Sequence, residues 1–347
     1  MKSFFLNKVV LFPYYVALKF RHFCYDKGIF KSYSFDIPII IVGNVSAGGT
    51  GKTPHTEFLV KHLMEYGQVA VLSRGYGRKS KGFRYVEESD GVLSCGDEPL
   101  QIKKKFPGAI VAVDGNRVRG IKMLMDLPAG KRPYVIVMDD AFQHRRVKAS
   151  RSLVLIDYSN PPFNDNLLPF GTLRDLPAQI YRADAVIITK CPPEVSIEEQ
   201  FEWKRQLNLT SAQRLFFTSL RYGDAVAVFG NGDKRYIYSN FAQLVTAIAN
   251  PKHLENELSV NYKIIRRLRF RDHKNFGKRD IAKINNMAQF DSKSVIITTE
   301  KDAQRLEGNK FISDIASKKI FYFPIEVSVQ NDCGQELIEF VCPGRQS

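Results

Sequence analysis

A glycine-rich turn between an apolar run and a helical pattern is the feature that most constrains what this chain can fold into. Ile37–Val42 reads IPIIIV, residues 46–53 read S-A-G-G-T-G-K-T, and a helical pattern spans Pro54–Tyr66. In a P-loop, glycines allow backbone N–H groups to wrap a phosphate chain, a Lys neutralises the β- and γ-phosphates, and a Ser or Thr hydroxyl binds Mg²⁺. The strict pattern has Gly where Ser46 stands, but strand, loop, Lys-Thr pair and helix coincide. The sequence therefore predicts a nucleoside triphosphate-binding loop made of Ser46, Ala47, Gly48, Gly49, Thr50, Gly51, Lys52 and Thr53.

A second motif is an apolar run that ends in two carboxylates. Tyr134–Met138 reads YVIVM and is followed by Asp139 and Asp140. P-loop enzymes hold Mg²⁺ with an Asp at the end of such a strand, opposite the loop. Two adjacent carboxylates are costly unless a cation balances them. We therefore predict a Mg²⁺ site formed by Thr53 together with Asp139 and Asp140.

The remaining apolar runs predict an α/β fold. They are apolar throughout rather than alternating, as in strands buried on both faces, and helical stretches such as Glu98–Lys105 separate several of them. The predicted strands are Val69–Leu72, Ala109–Val113, Ser152–Ile156 and Ala185–Ile188, with Leu215–Phe217 as an edge strand. This alternation favours a P-loop NTPase-like, doubly wound parallel sheet whose ligands bind at the carboxyl ends of the strands.

The pattern changes after about residue 220. We predict strands at Asp224–Phe229, Ser294–Ile297 and Ile320–Phe323, and a helix at Ser239–Ile248. The chain is accordingly divided into an N-terminal helix region (1–34), a P-loop domain (35–220) and a smaller α/β lobe (221–347).

The N-terminal region is both apolar and basic. Residues 4–20 read FFLNKVVLFPYYVALKF, and the Lys and Arg residues before Ser34 face a single acid, Asp26. Lys8 interrupts the apolar core, and no A-x-A site follows, which argues against a signal peptide. An amphipathic helix, kinked near Pro13 and lying in the surface of an anionic bilayer, fits this composition. A helix packed on the core of the domain is the alternative.

The charge balance narrows the class of partner. The chain has 347 residues, with 51 Lys and Arg against 36 Asp and Glu, for a net charge of +15. Such a surplus suits nucleic acid, an anionic membrane or a phosphorylated substrate. Five cysteines without a C-x-x-C pair indicate reduced thiols in the cytosol rather than a disulfide framework or a zinc site.

Eight local patterns in a fixed order make the sequence resemble one enzyme family. They are S-A-G-G-T-G-K-T-P (46–54), S-R-G-Y-G-R (73–78), G-D-E-P (96–99), D-D-A-F-Q-H-R (139–145), L-L-P-F-G-T-L-R-D (167–175), A-N-P (249–251), R-D-H-K-N-F (271–276) and T-T-E-K-D-A (298–303). Over about residues 5–325 the chain resembles the tetraacyldisaccharide 4′-kinases of lipid A synthesis. The family pattern has Gly where Ala141 stands and Glu where Asp175 stands.

The resemblance implies a reaction, cofactors and partners. The γ-phosphate of ATP would pass, with Mg²⁺ as cofactor, to the 4′-hydroxyl of a glucosamine disaccharide that carries a 1-phosphate and four acyl chains. The enzyme would act as a monomer, peripherally on the cytoplasmic face of the inner membrane, with the acylated disaccharide phosphate and the anionic membrane surface as partners. It would bind no nucleic acid.

The resemblance also implies roles for single residues. Asp97 is expected to take the hydroxyl proton, with His273 behind it, because a bare carboxylate with a pKa of about 3.9 is a poor base at pH 7. Lys52 completes the catalytic set, and Asp175 is a further candidate metal ligand. The candidate substrate contacts are Arg74, Tyr76, Arg117, Gln143, His144, Thr172 and Arg174.

Two other functions remain open at this point. A P-loop kinase of a soluble acceptor would have no need for the apolar N-terminus. A nucleotide-switched binding protein would be expected to carry an N-K-x-D motif, which Thr189-Lys190-Cys191 matches only in part.

Overall fold

The computed structural model describes residues 2–342, with side chains from residue 11 onward. Residues 343–347 of the predicted smaller lobe, and the side chain of Lys8, lie outside what is described. The strands are β1 Ile39–Gly43, β2 Val69–Ser73, β3 Arg84–Tyr85, β4 Ile110–Val113, β5 Val135–Met138, β6 Arg151–Asp157, β7 Ala185–Thr189, β8 Arg214–Tyr222, β9 Val226–Ala227, β10 Phe241–Thr246, β11 Lys263–Arg269, β12 Val295–Thr298, β13 Ile320–Tyr322 and β14 Ile325–Val329. The helices are α1 Lys2–Asp26, α2 Lys52–Leu63, α3 Val92–Cys95, α4 Asp97–Lys105, α5 Arg117–Met125, α6 Ile197–Gln206, α7 Lys252–Asn261, α8 Lys278–Phe290, α9 Glu300–Leu306, α10 Asp314–Lys319 and α11 Gly334–Val341.

The large sheet is doubly wound, as the sequence predicts. Its strand order is β14-β8-β7-β6-β1-β5-β2-β4-β3, and all neighbours pair in parallel except β3 with β4 and β14 with β8. Alternate residues of β1 enter different cores, since Ile39 and Ile41 pack on one face and Ile40 and Val42 on the other. After β1 the chain forms β2, β4 and β5 on one side of this strand, and after β5 it crosses to β6, β7 and β8 on the other side. This switch point is where an open α/β sheet forms its ligand crevice.

The smaller sheet contains one segment that was predicted incorrectly. Its order is β11-β10-β12-β13-β9, and β10 lies where Ser239–Ile248 was predicted to be helical. Ala242 and Leu244 pack on one face while Val245 packs on the other. A short, continuously apolar run occurs both in parallel strands and in buried helices, so hydrophobic periodicity could not distinguish a strand from a helix here. The strand predicted at Asp224–Phe229 shrinks to the two residues of β9.

The smaller lobe ends earlier than the predicted boundary at residue 347. β14 pairs antiparallel with β8, from Ile325 opposite Tyr222 to Val329 opposite Thr218. Leu337, Ile338 and Val341 of α11 are buried in the core of the large sheet. The chain therefore returns to the P-loop domain after β13, and Leu215–Phe217 belongs to a longer strand, one place in from the sheet edge.

Helix α1 runs without a break through Pro13 and has two different faces. Leu18, His22 and Cys24 are buried against the P-loop domain. Phe12, Val16, Phe20 and Phe23, spaced so as to fall on one side of a helix, are exposed. No described helix is long and apolar enough to span a bilayer.

The two lobes meet mainly through α4 of the large lobe and α9 of the smaller one. Their facing charges are complementary: Lys301 Nζ is 2.9 Å from Glu98 Oε1, and Lys105 Nζ is 3.4 Å from Glu300 Oε1. This packing brings the N-terminus of α4 close to the loop that follows β11.

Candidate active site

The P-loop connects the end of β1 to the start of α2. Gly48 and Gly51 have φ of 109° and 86°, values that side chains rarely adopt. A Cβ added at Gly48 or Gly49 would meet no atom within 4 Å, so the loop faces open space there. Asn44 Nδ2 donates to Thr50 Oγ1 at 2.8 Å and braces the turn. The loop therefore leaves its backbone and the N-terminus of α2 open to an anion.

A cavity of about 870 Å³ opens in front of this loop and is lined by both lobes. It brings together fifteen of the residues predicted from the sequence. They are Ala47, Gly48, Gly49, Thr50, Gly51, Lys52, Thr53, Arg74, Tyr76, Arg117, Asp140, Gln143, His144, Arg174 and His273. The cleft is large enough for a nucleotide together with part of a second substrate.

The two carboxylates after β5 have different surroundings. Asp139 is buried; Thr56 Oγ1 donates to its Oδ1 at 3.1 Å, and its Oδ2 has no hydrogen-bond partner among the described residues. Burial, reinforced by the charges of Glu98 and Asp140, raises the pKa of Asp139 to about 7. Asp140 lies at the cleft, 3.9 Å from Lys52 Nζ and bound by Arg174. Lys52 and Arg174 outweigh burial and lower the pKa of Asp140.

These carboxylates fit a Mg²⁺ ion that arrives with a nucleotide. A cation would supply the missing partner of Asp139 Oδ2 and relieve the repulsion between Asp139 and Asp140. Mg²⁺ is commonly held by one or two carboxylates together with substrate phosphates rather than by a complete protein cage. Among the described residues, no group of three His, Cys, Asp or Glu side chains could hold a metal ion alone.

Arg117 supplies a buried positive charge on the wall of the cleft. It begins α5, and one of its guanidinium N–H groups donates to the Asp114 carbonyl, while its Nε has no hydrogen-bond partner in the described part of the chain. Burial lowers the pKa of Arg117 to about 10, so it stays charged at neutral pH. Burial, followed by the charge of Arg117, lowers the pKa of His144 to about 4, so His144 is neutral. This wall therefore offers strong donors to an anionic group.

Asp97 and His273 meet at the junction of the lobes, although 176 residues separate them in sequence. Asp97 begins α4 after Gly96, whose φ of 98° carries the backbone against Gly75 of the S-R-G-Y-G loop. His273 Nδ1 lies 3.2 Å from Asp97 Oδ2, and Lys301 Nζ lies 3.1 Å from His273 Nε2. His273 itself has a φ of 55°, a strained value of the kind found at functional sites.

His273, and not Asp97, is the member of this pair that lines the cleft, which is the reverse of the expectation. His273 lines the cleft with its side chain 26% exposed, whereas the Asp97 side chain is 4% exposed and lies behind it. Burial disfavours the ionised form of Asp97, but His273, Lys301 and Arg305 outweigh it and hold the pKa of Asp97 well below its usual range. In this arrangement Asp97 is a fixed anion that orients His273.

Three predicted residues have structural partners instead of cleft positions. The Asp175 carboxylate is fully buried, and its Oδ1 accepts from His22 Nε2 at 2.6 Å and from the Leu176 N–H at 2.9 Å, so it fastens α1. The Thr172 hydroxyl pairs with Asp165 and Asn160, and its carbonyl accepts from the Ala47 N–H at 2.6 Å. Ser46 is buried and forms a bridge with Leu173. All three hold the P-loop or α1 in place from behind.

Sequence reasoning overlooked Arg305, which is buried and binds Asp97 from the opposite lobe. It lies one helical turn after Lys301 of the T-T-E-K-D-A pattern, and that spacing is the signal that could have revealed it. Lys190, Tyr222 and His253, which line the far end of the cleft, were also missed as site residues.

Comparison with known proteins identifies the family of the chain. The family model for tetraacyldisaccharide-1-P 4′-kinase matches residues 5–341. The chain is 41% identical to the tetraacyldisaccharide 4′-kinase of Phocaeicola vulgatus, covering 90% of this chain and 87% of that one. It is also 41% identical to that of Flavobacterium johnsoniae, covering 94% of both chains. The crystal structure of LpxK from Aquifex aeolicus in complex with ATP has the same fold, with a TM-score of 0.72, 24% identity and coverage of 96% of this chain and 98% of that one. The chain belongs to the tetraacyldisaccharide-1-P 4′-kinase family.

Proposed function

We propose that this protein transfers the γ-phosphate of ATP to the 4′-hydroxyl of a tetraacylated glucosamine disaccharide 1-phosphate. The observation that carries the proposal is the shared cavity, which places the P-loop of one lobe opposite His273 of the other. Phosphoryl transfer needs mainly positioning and positive charge, because charge spreads over the transferring oxygens. Lys52, Arg174 and Arg117 bring three positive charges to the lining of this cavity.

The nucleotide and the acceptor would occupy opposite arms of the cleft. β5, β2 and β4 lie on one side of β1, and the segments that follow them carry Asp140, Arg74 and Arg117. β7 and β8 lie on the other side, where Lys190, Tyr222 and Leu254 line the cleft. The second arm suits a base and ribose, and the first, with its arginines, suits a phosphorylated acceptor.

Mg²⁺, when bound through Thr53, Asp139 and Asp140, would neutralise charge on the β- and γ-phosphates. The residues of the chain then have separate tasks. Lys52 meets the transferring phosphate, Arg74 and Arg117 grip the acceptor, and the Asp97–His273 pair moves the hydroxyl proton. Both lobes of one chain contribute to the cavity, so a catalytic site can be assembled within a single copy, and we propose that the protein acts as a monomer.

The exposed stripe of α1 supports peripheral attachment to an anionic membrane. Phe12 and Phe20 are 63% and 64% exposed, and Val16 and Phe23 lie on the same side. The side of α1 that faces the P-loop domain contacts the site: Arg21 Nη2 donates to the Gln143 carbonyl at 2.6 Å, and the exposed Tyr14 hydroxyl donates to the Arg174 carbonyl at 3.2 Å. A membrane-bound α1 would therefore hold the cleft next to an acceptor whose acyl chains stay in the bilayer. We propose the cytoplasmic face of the inner membrane as the location.

Replacing Phe12, Phe20 and Phe23 together by Ser is expected to weaken binding to anionic vesicles by at least about tenfold and to raise the KM for the lipid acceptor. The KM for ATP should stay within about twofold of wild type, because the stripe faces away from the P-loop domain. This variant is a sharper test than deleting α1, since deletion would also remove the His22–Asp175 contact.

Vesicle sedimentation and steady-state kinetics check this expectation. The matched control replaces Tyr238, Val260 and Phe290, which are exposed on the smaller lobe, by Ser. Equal vesicle binding by wild type and the α1 variant would show that the stripe does not contact the membrane.

The proposed reaction is tested directly by incubating the protein with [γ-³²P]ATP, Mg²⁺ and a detergent-dispersed tetraacyl disaccharide 1-phosphate. We expect a bisphosphorylated lipid whose new phosphate is on the 4′-oxygen, as located by NMR. The same disaccharide 1-phosphate without acyl chains should be a much poorer acceptor. Efficient transfer to that soluble acceptor, and none to the lipid, would instead favour a small-molecule kinase.

A further inference from the structure

A buried arginine joins the two lobes at the Asp97–His273 pair. Arg305 lies on α9 of the smaller lobe, its side chain is only 2% exposed, and its Nη2 donates to Asp97 Oδ2 on α4. The same Nη2 lies 3.3 Å from His273 Nδ1. Burying a charged guanidinium is unfavourable unless its donors are satisfied. The groups that Arg305 binds therefore indicate its role.

Residues of the smaller lobe hold one edge of the Arg305 guanidinium. Its Nη1 donates to Asp302 Oδ1 at 2.8 Å and to the Ala247 carbonyl at 3.3 Å. Asp302 is itself held, since its Oδ2 accepts from the Ala247 N–H at 2.8 Å and from Thr299 Oγ1 at 2.7 Å. The planar guanidinium therefore has one edge on its own lobe and the other on Asp97, a bridge that the single point charge of Lys could not reproduce.

The two oxygens of Asp97 are used differently. Arg305 and His273 contact Oδ2, and Lys301 Nζ lies 3.9 Å from the same oxygen. Within residues 2–342, Oδ1 accepts a hydrogen bond only from the N–H of Glu98, the next residue in α4. All the cationic groups that face Asp97 from the smaller lobe thus gather on one oxygen, which fixes the plane of the carboxylate and, through it, the ring of His273.

We propose that Arg305 is a positioning residue for phosphoryl transfer: anchored by Asp302 and the Ala247 carbonyl, it fixes Asp97 across the lobe junction and thereby aligns the Asp97–His273 pair. The proposal deepens the kinase function proposed above and rests on it. Arg305 touches neither substrate, because it is buried behind the cleft wall. Replacing Arg305 should therefore change kcat rather than the KM for ATP.

A neighbouring ion pair provides a matched control. Lys104 of α4 and Glu307, which directly follows α9, also join the two lobes, but both are partly exposed and neither contacts Asp97. Glu307→Gln removes one cross-lobe ion pair and leaves the Asp97 carboxylate untouched. A loss caused merely by weaker contact between the lobes would appear in both variants.

The kinetic test compares Arg305→Ala, Arg305→Lys and Glu307→Gln under the transfer assay. We expect kcat to fall about 10- to 100-fold in Arg305→Ala, a part of what general-base assistance is worth, with the KM for ATP within about twofold of wild type. Arg305→Lys should recover little of this loss, and added guanidinium should restore part of it in Arg305→Ala. Glu307→Gln should stay within about twofold. Wild-type kcat in Arg305→Ala, or an equal loss in Glu307→Gln, would overturn the proposal.

A second readout does not depend on activity. The Asp97 carboxyl is followed by ¹³C NMR, with its signal assigned from Asp97→Asn. Because Arg305 lowers the pKa of Asp97, this pKa should rise in Arg305→Ala and stay unchanged in Glu307→Gln. The acid limb of the kcat/KM profile should move to higher pH in parallel, since the Asp97 charge that orients His273 would be lost by protonation at a higher pH. An unchanged Asp97 titration would overturn the positioning role, whereas failure of wild type to phosphorylate the lipid would count against the proposed function alone.

Discussion

Lys52→Ala is expected to abolish nearly all phosphoryl transfer, with kcat reduced by about 10³-fold or more, which corresponds to about 4 kcal/mol of transition-state stabilisation. Lys52 is the first residue of α2 and lines the cleft, with its Nζ 3.9 Å from Asp140 Oδ1. In this position its ammonium can meet charge that develops on the transferring phosphate, and no other lysine belongs to the P-loop. Single-turnover transfer with saturating ATP and Mg²⁺ measures the loss.

The matched control is Lys61→Ala on the same helix. Lys61 is 60% exposed at its side chain and pairs only loosely with Glu326, at 3.8 Å. It should leave kcat within about twofold of wild type, since exposed ion pairs contribute little. Near-normal turnover in folded Lys52→Ala would show that residues 46–53 do not bind the transferring phosphate and would remove the basis of the site.

The sequence was most informative where chemistry is local. The P-loop, its strand and its helix are contiguous in residues 37–66, and Asp139 and Asp140 directly follow a buried strand, so spacing alone predicted them. The doubly wound sheet was equally accessible, because each of its parallel strands is a continuous apolar run. In both cases the structure of a short segment is dictated largely by that segment.

Tertiary placement was harder to predict. No local pattern indicates that β14 returns to β8, because antiparallel pairing across 100 residues depends on which sheet edge is free. The L-L-P-F-G-T-L-R-D pattern also suggested a metal role for Asp175, whereas in the structure the Asp175 carboxylate accepts a hydrogen bond from His22 of α1. No role was predicted for Arg305, because arginines are mostly exposed in folded proteins, and only the fold shows that this one is buried against Asp97.

Which of Asp97 and His273 faces the cleft also depends on tertiary contacts. The family resemblance brought the two residues together, but sequence could not say which of them faces the cleft. That order depends on the strained backbone at His273, whose N–H donates to the Ala247 carbonyl at 3.2 Å, and on the close approach of Gly96 to Gly75. Both are contacts between segments far apart in the chain.

The double-mutant cycle on Asp97 and His273 follows from this arrangement. Asp97→Ala and His273→Ala should each lower kcat by about 10²- to 10⁴-fold, the usual value of general-base assistance. Because the carboxylate orients the imidazole at 3.2 Å, removing either residue disables the same step. The double variant should therefore be little worse than the poorer single variant.

ATP affinity separates this effect from damage to the nucleotide site, since neither residue contacts the P-loop in the hydrogen-bond network of the cleft. Equilibrium binding of ATP should stay within about twofold of wild type in all three variants. Lys274→Ala is the matched control, because Lys274 follows His273 directly and its exposed side chain pairs with Asp280 at 3.3 Å, away from the cleft. Losses that multiply in the double variant, or an active His273→Ala enzyme, would mean that the two residues do not act as a unit. The proton of the acceptor hydroxyl would then have to leave by a route that does not involve the imidazole on the cleft wall.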